Sequence, residues 1–89
     1  MNKKEFVVAA IDAFEKEFTG MKFKNQIFKN LNAEYNTIVP VTKYGEWPIV
    51  NVDAVFEGVG EMSVSNAVAY VLDRYKVHVA DAERYISHQ

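Results

Sequence analysis

The apolar residues of this chain keep two different periods, and the change from one to the other limits what it can fold into. Between residues 63 and 76, Val64, Ala67, Val68, Val71, Leu72 and Tyr75 stand at i, i+3, i+4, i+7, i+8 and i+11. That is one unbroken stripe along a helix. Residues 3–18 repeat the helical spacing with Phe6, Val7, Ala10, Ile11, Ala13, Phe14 and Phe18. In the middle of the chain the period drops to two. Along "YNTIVPVTKYG", Tyr35, Thr37, Val39 and Val41 fall on one side of a strand and Asn36, Ile38, Pro40 and Thr42 on the other. Helical ends around an extended middle predict an α+β fold. A small antiparallel sheet of two or three strands would pack against an N-terminal helix and two or three C-terminal helices, as a single domain over residues 1–89.

Punctuation residues place the boundaries. Gly20 can take the left-handed conformation that ends the first helix. "KFKNQIFKN" (residues 22–30) reads as a first strand with Phe23, Ile27 and Phe28 as its apolar members, and "NLNAE" as a turn in which Asn30 and Asn32 bond to the backbone that follows them. Pro40 removes a ladder donor, which predicts an edge strand or one bulged near its middle. Tyr44–Trp47 can reverse the chain, and "WPIVNV" returns as a third short strand. "NVDAVFEG" changes period again: Val52, Val55 and Phe56 share a short helix capped by Asn51 or Asp53 and closed at Gly58. Ser63 caps the long helix, with Arg74 and Lys76 in its last turn. "DAERYISHQ" reads as a separate element of one or two turns beginning at Asp81, or as a frayed tail.

Composition removes several chemistries. The sequence of 89 residues has no cysteine, which excludes disulfides, thiolate nucleophiles and cysteine-ligated metals. That is compatible with a reducing cytoplasm, the expected location. No window of eighteen apolar residues is present to cross a membrane, and Asp12 breaks the signal-like start "MNKKEFVVAAI". The net charge is -2, unevenly divided: residues 1–43 hold seven lysines against five acids, and residues 44–89 three basic residues against seven acids. If those halves form separate faces, the molecule is dipolar.

No set of residues in the sequence reads as a catalytic site. His78 and His88 stand ten residues apart, with Asp81 the one carboxylate at helical spacing from His78, and no histidine cluster suggests a metal. Asp53, Glu57 and Glu61 recur at four-residue spacing, but Gly58 and Gly60 interrupt the helix that would align them, so they read as an acidic rim. "GVGEMS" lacks the lysine of a phosphate loop, and Ser63, Ser65 and Ser87 lack a histidine base. Neither a cofactor nor an enzymatic activity is expected.

Two binding readings remain. Lys22, Lys24 and Lys29 interleave with Phe23 and Phe28, a pattern that can meet phosphates and stack bases. Phe23 and Phe28 differ by five, so an unbroken strand puts them on opposite faces. The other reading starts from the aromatic content of 13%, more than a small core readily consumes. Tyr35, Tyr44, Trp47, Tyr70 and Tyr85 are the amphipathic aromatics suited to a protein partner, with Tyr44, Trp47 and Tyr70 the chosen anchors and Asp53, Glu57 and Glu61 or the lysines steering the encounter. The preferred expectation is therefore a non-enzymatic protein-interaction module, acting by occlusion. A phage or mobile-element inhibitor of a host defence nuclease, such as an anti-CRISPR protein, is the concrete case. A small nucleic-acid-binding regulator is the alternative. Homodimerisation through the Pro40 strand or the Trp47 turn would use the same exposed surface.

The segment "PIVNVDAVFEGVGEMSVSNAVAYVLDRY" also resembles a pattern in an uncharacterised family of small domains from gut bacteria. There a helix and hairpin lead into a proline-started strand, a short helix, a Gly/Ser turn and an amphipathic helix ending in tyrosine. Pro48, Val50 and Val52 match the strand, Val55 and Phe56 the short helix, Ser63 the cap, and Val68, Leu72 and Tyr75 the last helix. The resemblance covers roughly residues 4–75, and the loop before the strand is shortened here to "KYGEW". It implies a bacterial or mobile-element origin and the same order of elements, and carries no activity with it.

Overall fold

Asn2 starts the first helix, α1 (Lys3–Glu17), by accepting from the N–H groups of Lys4 at 2.8 Å and Glu5 at 3.2 Å. It thereby satisfies two of the donors a helix N-terminus leaves without partners. At the other end Met21 N–H closes a turn onto the Phe18 carbonyl at 3.0 Å, and Gly20 takes the positive φ of 89° that this turn requires. These details come from a computed structural model that describes residues 2–41, 47–59 and 61–87, with side chains as far as residue 81.

Three strands follow, β1 (Phe23–Lys29), β2 (Glu34–Pro40) and β3 (Val50–Asn51), in one antiparallel sheet of order β1-β2-β3. The register runs without interruption from Phe23 opposite Pro40 to Lys29 opposite Glu34. The strand that carries Pro40 is thus central and unbulged, a correction to the edge-strand expectation. Pro40 is its last residue, and Val41 N–H bonds the Lys22 carbonyl at 2.7 Å. Odd-numbered positions of β2 therefore turn their N–H toward β1, and the proline nitrogen faces the other flank. There β3 pairs only with Thr37 and Ile38, so no ladder bond is lost.

The third strand is shorter than "WPIVNV" suggested, because α2 (Val52–Val59) begins at once. Asn51 is its cap, accepting from Ala54 N–H at 3.1 Å, and the helix runs through Gly58. The last element also differs from expectation. α3 (Val64–Ser87) is one continuous helix of 24 residues, capped by Ser63, whose Oγ accepts from Asn66 N–H at 3.2 Å. No glycine or proline lies between Val64 and Ser87, and the buried stripe simply advances from Tyr75 to Val79.

The helices and the sheet share one core. Phe23, Ile38 and Val50 point into it from the sheet, joined by Phe6, Ala10 and Phe14 of α1, Val52 and Val59 of α2, and Ala67, Val71, Tyr75 and Val79 of α3. Phe14 stacks on Tyr75 with ring centroids 4.7 Å apart and meets Phe23 edge-on at 5.3 Å. Two ion pairs, Lys3–Asp53 at 2.6 Å and Lys76–Glu17 at 3.1 Å, link the basic first half of the chain to the acidic second half. The α+β arrangement is the one the two periods imply.

Candidate protein-binding surfaces

The proposed anchor residues have different fates. Trp47 is half-buried, its ring edge-on to Phe18 at 5.3 Å and 6.5 Å from Tyr75, so it closes one end of the core. Tyr70 is exposed, with the Arg74 guanidinium 4.9 Å above its ring. Tyr44 lies outside the described residues.

The acidic row divides. Asp53 is occupied, receiving Lys3 Nζ at 2.6 Å and the Asn36 N–H at 3.0 Å. With β3 ending after Asn51, its carboxylate stands in for the ladder acceptor that Asn36 would otherwise lack. The Lys3 ammonium and that N–H hold its carboxyl below the ordinary value of 3.8. Glu57 is exposed on α2, while Glu61 sits in the turn beyond the helix. The three do not form a continuous rim, because α2 ends at Val59.

The lysine–phenylalanine patch divides by strand parity. Phe23 is buried against Phe14, Phe18 and Tyr75, so it is a core residue and is not available to stack a base. Phe28 lies on the opposite face with Lys24, and Lys29 returns to the helix side. Lys22 precedes the strand.

What the sequence reading missed is the hairpin end. Asn30 shapes the turn by accepting from Asn32 N–H at 3.2 Å and Ala33 N–H at 3.0 Å, as expected of it. That geometry leaves Leu31 at the tip, 99% exposed. Behind it, Phe28 and Tyr35 stand directly opposite one another, each 42% exposed, and Ile27 is exposed on the other face. Three large apolar side chains thus cluster at the hairpin end, with Ile27 exposed on its reverse face, since Phe23 is the only buried residue of β1. Scattered exposed apolar residues are ordinary, whereas a contiguous group makes this end a candidate contact surface. The signal available in the sequence was a leucine inside a turn of asparagines, where no neighbour could cover it.

A concave surface runs between β3 and α3, about 210 Å³ in volume and lined by Ile49, Val50, Val71 and Tyr75 with Tyr70, Arg74 and His78 along one side. Its lining is mainly apolar. Among the described residues no three histidine, aspartate or glutamate side chains converge as a metal site requires. No helix among them is long and apolar enough to cross a membrane. Comparison with known protein families, curated proteins and solved structures finds no match in any of the three.

Proposed function

We propose that this protein is a non-enzymatic interaction module that binds another protein through the end of its β1–β2 hairpin. The observation that carries this reading is the group of Phe28, Leu31 and Tyr35 exposed together at the hairpin end, with Ile27 exposed on the reverse face. Leu31 fills an apolar pocket of the partner, Phe28 and Tyr35 flank it, and Lys24, Lys29 and Glu34 form a polar rim that excludes water. Occlusion of a larger protein in a bacterial cytoplasm, a host defence nuclease being the concrete case, is the role such a surface serves. The anchor thus moves from the Trp47 turn to the hairpin.

Leu31→Asp tests this cleanly, because a side chain 99% exposed supports nothing in the fold. In affinity capture from a bacterial lysate, a partner held by the wild-type chain should be lost with Leu31→Asp and kept with Asp12→Asn on the solvent side of α1. Equal capture by the Leu31 variant overturns the proposal.

One observation favours the nucleic-acid reading: the facing pair Phe28 and Tyr35 shares its side of the sheet with Lys24. Stacking on such a pair predicts salt-dependent retention on single-stranded DNA or RNA that Phe28→Ala removes. Retention indifferent to salt rules it out.

A further inference from the structure

The groove between β3 and α3 shares no residue with the hairpin end, and three observations at it converge. The first concerns the strand edge. Asn36 turns its N–H away from β1, and by the same alternation Ile38 pairs its main-chain groups with Val50. Ile49 therefore directs both its groups outward and Asn51 its N–H, the Asn51 carbonyl being the first acceptor of α2. No described group bonds the N–H or carbonyl of Ile49. An unpaired strand edge is a template for another extended segment.

The second concerns the floor. Val50, Val71 and Tyr75 are buried side chains that line the groove, and Ile49 stands at its lip with 59% exposure. The Tyr75 hydroxyl donates to the Pro48 carbonyl at 2.8 Å, which ties β3's approach to α3 and holds the groove's width.

The third concerns charge. Tyr70, Arg74 and His78 stand four residues apart on α3 and form a row along the opposite wall. Arg74 rests on the Tyr70 ring and has no carboxylate partner among the described residues. A guanidinium keeps its charge at every physiological pH and its fork suits a carboxylate.

We infer that the groove takes an extended acidic peptide segment of a partner protein, added as a strand to the β3 edge. An apolar side chain of the segment enters the floor, and an aspartate or glutamate two residues away meets Arg74. The spacing follows from geometry: alternate residues of a strand share a face and lie about 6.6 Å apart, and four residues of a helix advance about 6 Å. Strand and helix row therefore keep step. A second copy of this chain is the poorer occupant by charge. Its free β1 edge would bring Lys24 toward Arg74 on one face or Lys29 on the other, and its β3 edge a second Arg74.

Selection of a random displayed peptide library on the full-length chain, followed by amide NMR titration of a selected peptide, tests the inference. The expected result is enrichment of an apolar residue and an acid at i and i+2, with the Ile49 and Asn51 amides moving on titration. Arg74→Glu, at an exposed position where folding can be checked by melting, should weaken the peptide roughly ten- to hundredfold. It should also turn a repeated selection toward lysine and arginine. N-methylation of the peptide nitrogen that faces Ile49 should abolish binding. The inference is overturned by peptides that ignore the charge at position 74, by amide shifts at Phe28 and Tyr35 instead of the groove, by failure to enrich any peptide, or by self-association that Arg74→Glu removes. A negative result here leaves the hairpin proposal standing, because the two surfaces have separate residues and separate variants.

Discussion

Asp53 does three things with one carboxylate: it opens α2 near its positive end, pairs with Lys3, and terminates the ladder at Asn36. Its carboxyl is held below 3.8. In acid the unfolded chain therefore binds this proton first, so stability rises with pH in that window. The contribution is complete above 3.8 and is lost as pH falls through the lower folded value. Urea denaturation from about pH 5 to about pH 2 should show wild type losing more stability than Asp53→Asn, which keeps an acceptor for Asn36 but no charge. Equal losses would remove Asp53 from the acid response. Tyr75 gives the opposite sign. Burial pushes its phenol well above the ordinary 10.0. Its contribution is complete below 10.0 and fades as pH rises beyond that toward the folded value. Tyr75→Phe should cost about 0.5–1.5 kcal/mol at neutral pH for the lost bond to Pro48. It should also flatten the alkaline limb of the stability profile.

Among the elements, α3 makes the most specific claim, that residues 64–87 are one helix. Val77 lies in its interior but is 61% exposed, so substitution there reads helix continuity with little interference from packing. Val77→Pro should cost about 3 kcal/mol or more, while Val77→Ala should stay within about 0.5 kcal/mol of wild type. A helix that stopped at residue 76, as its charge pattern alone suggests, would tolerate both. The hairpin is the other informative element. β1 has one buried residue and is held mainly by β2 and by side-chain bonds such as Thr37 Oγ1 to the Gln26 carbonyl at 2.7 Å. Its end can therefore carry apolar residues outward without loss to the core.

For the whole molecule, a domain of 89 residues has about 4–13 kcal/mol of stability in total. Phe14 is fully buried and touches rings from β1 and α3. Phe14→Ala should remove about 3–5 kcal/mol, enough to leave the chain largely unfolded near the lower bound, as chemical denaturation would show. Leu31→Asp should leave the denaturation midpoint unchanged. That contrast separates the side chains that hold the fold from those it leaves exposed. Of the large rings, Phe6, Phe14, Phe23 and Tyr75 are buried and Phe18 and Trp47 pack against them, while Phe28, Tyr35 and Tyr70 remain exposed. The aromatic excess read from composition is real in part, though Trp47 belongs to the core.

Local rules in the sequence were sufficient for what depends on neighbours along the chain. The two apolar periods determined helix and strand, and Ser63, Asn30 and Gly20 act where their short-range chemistry placed them. The burial of Phe23 was decidable only as one of two alternatives, since parity separates it from Phe28 without saying which face α1 would cover. Tertiary packing decided that, and it decided the rest for the same reason. Whether Pro40 costs a bond depends on how far β3 extends beside it, whether Asp53 is free depends on Lys3 fifty residues earlier, and whether Leu31 is covered depends on where the helices end. Each is a fact about neighbours in space, and in a chain this short the pairing of distant residues is set only once the core has closed.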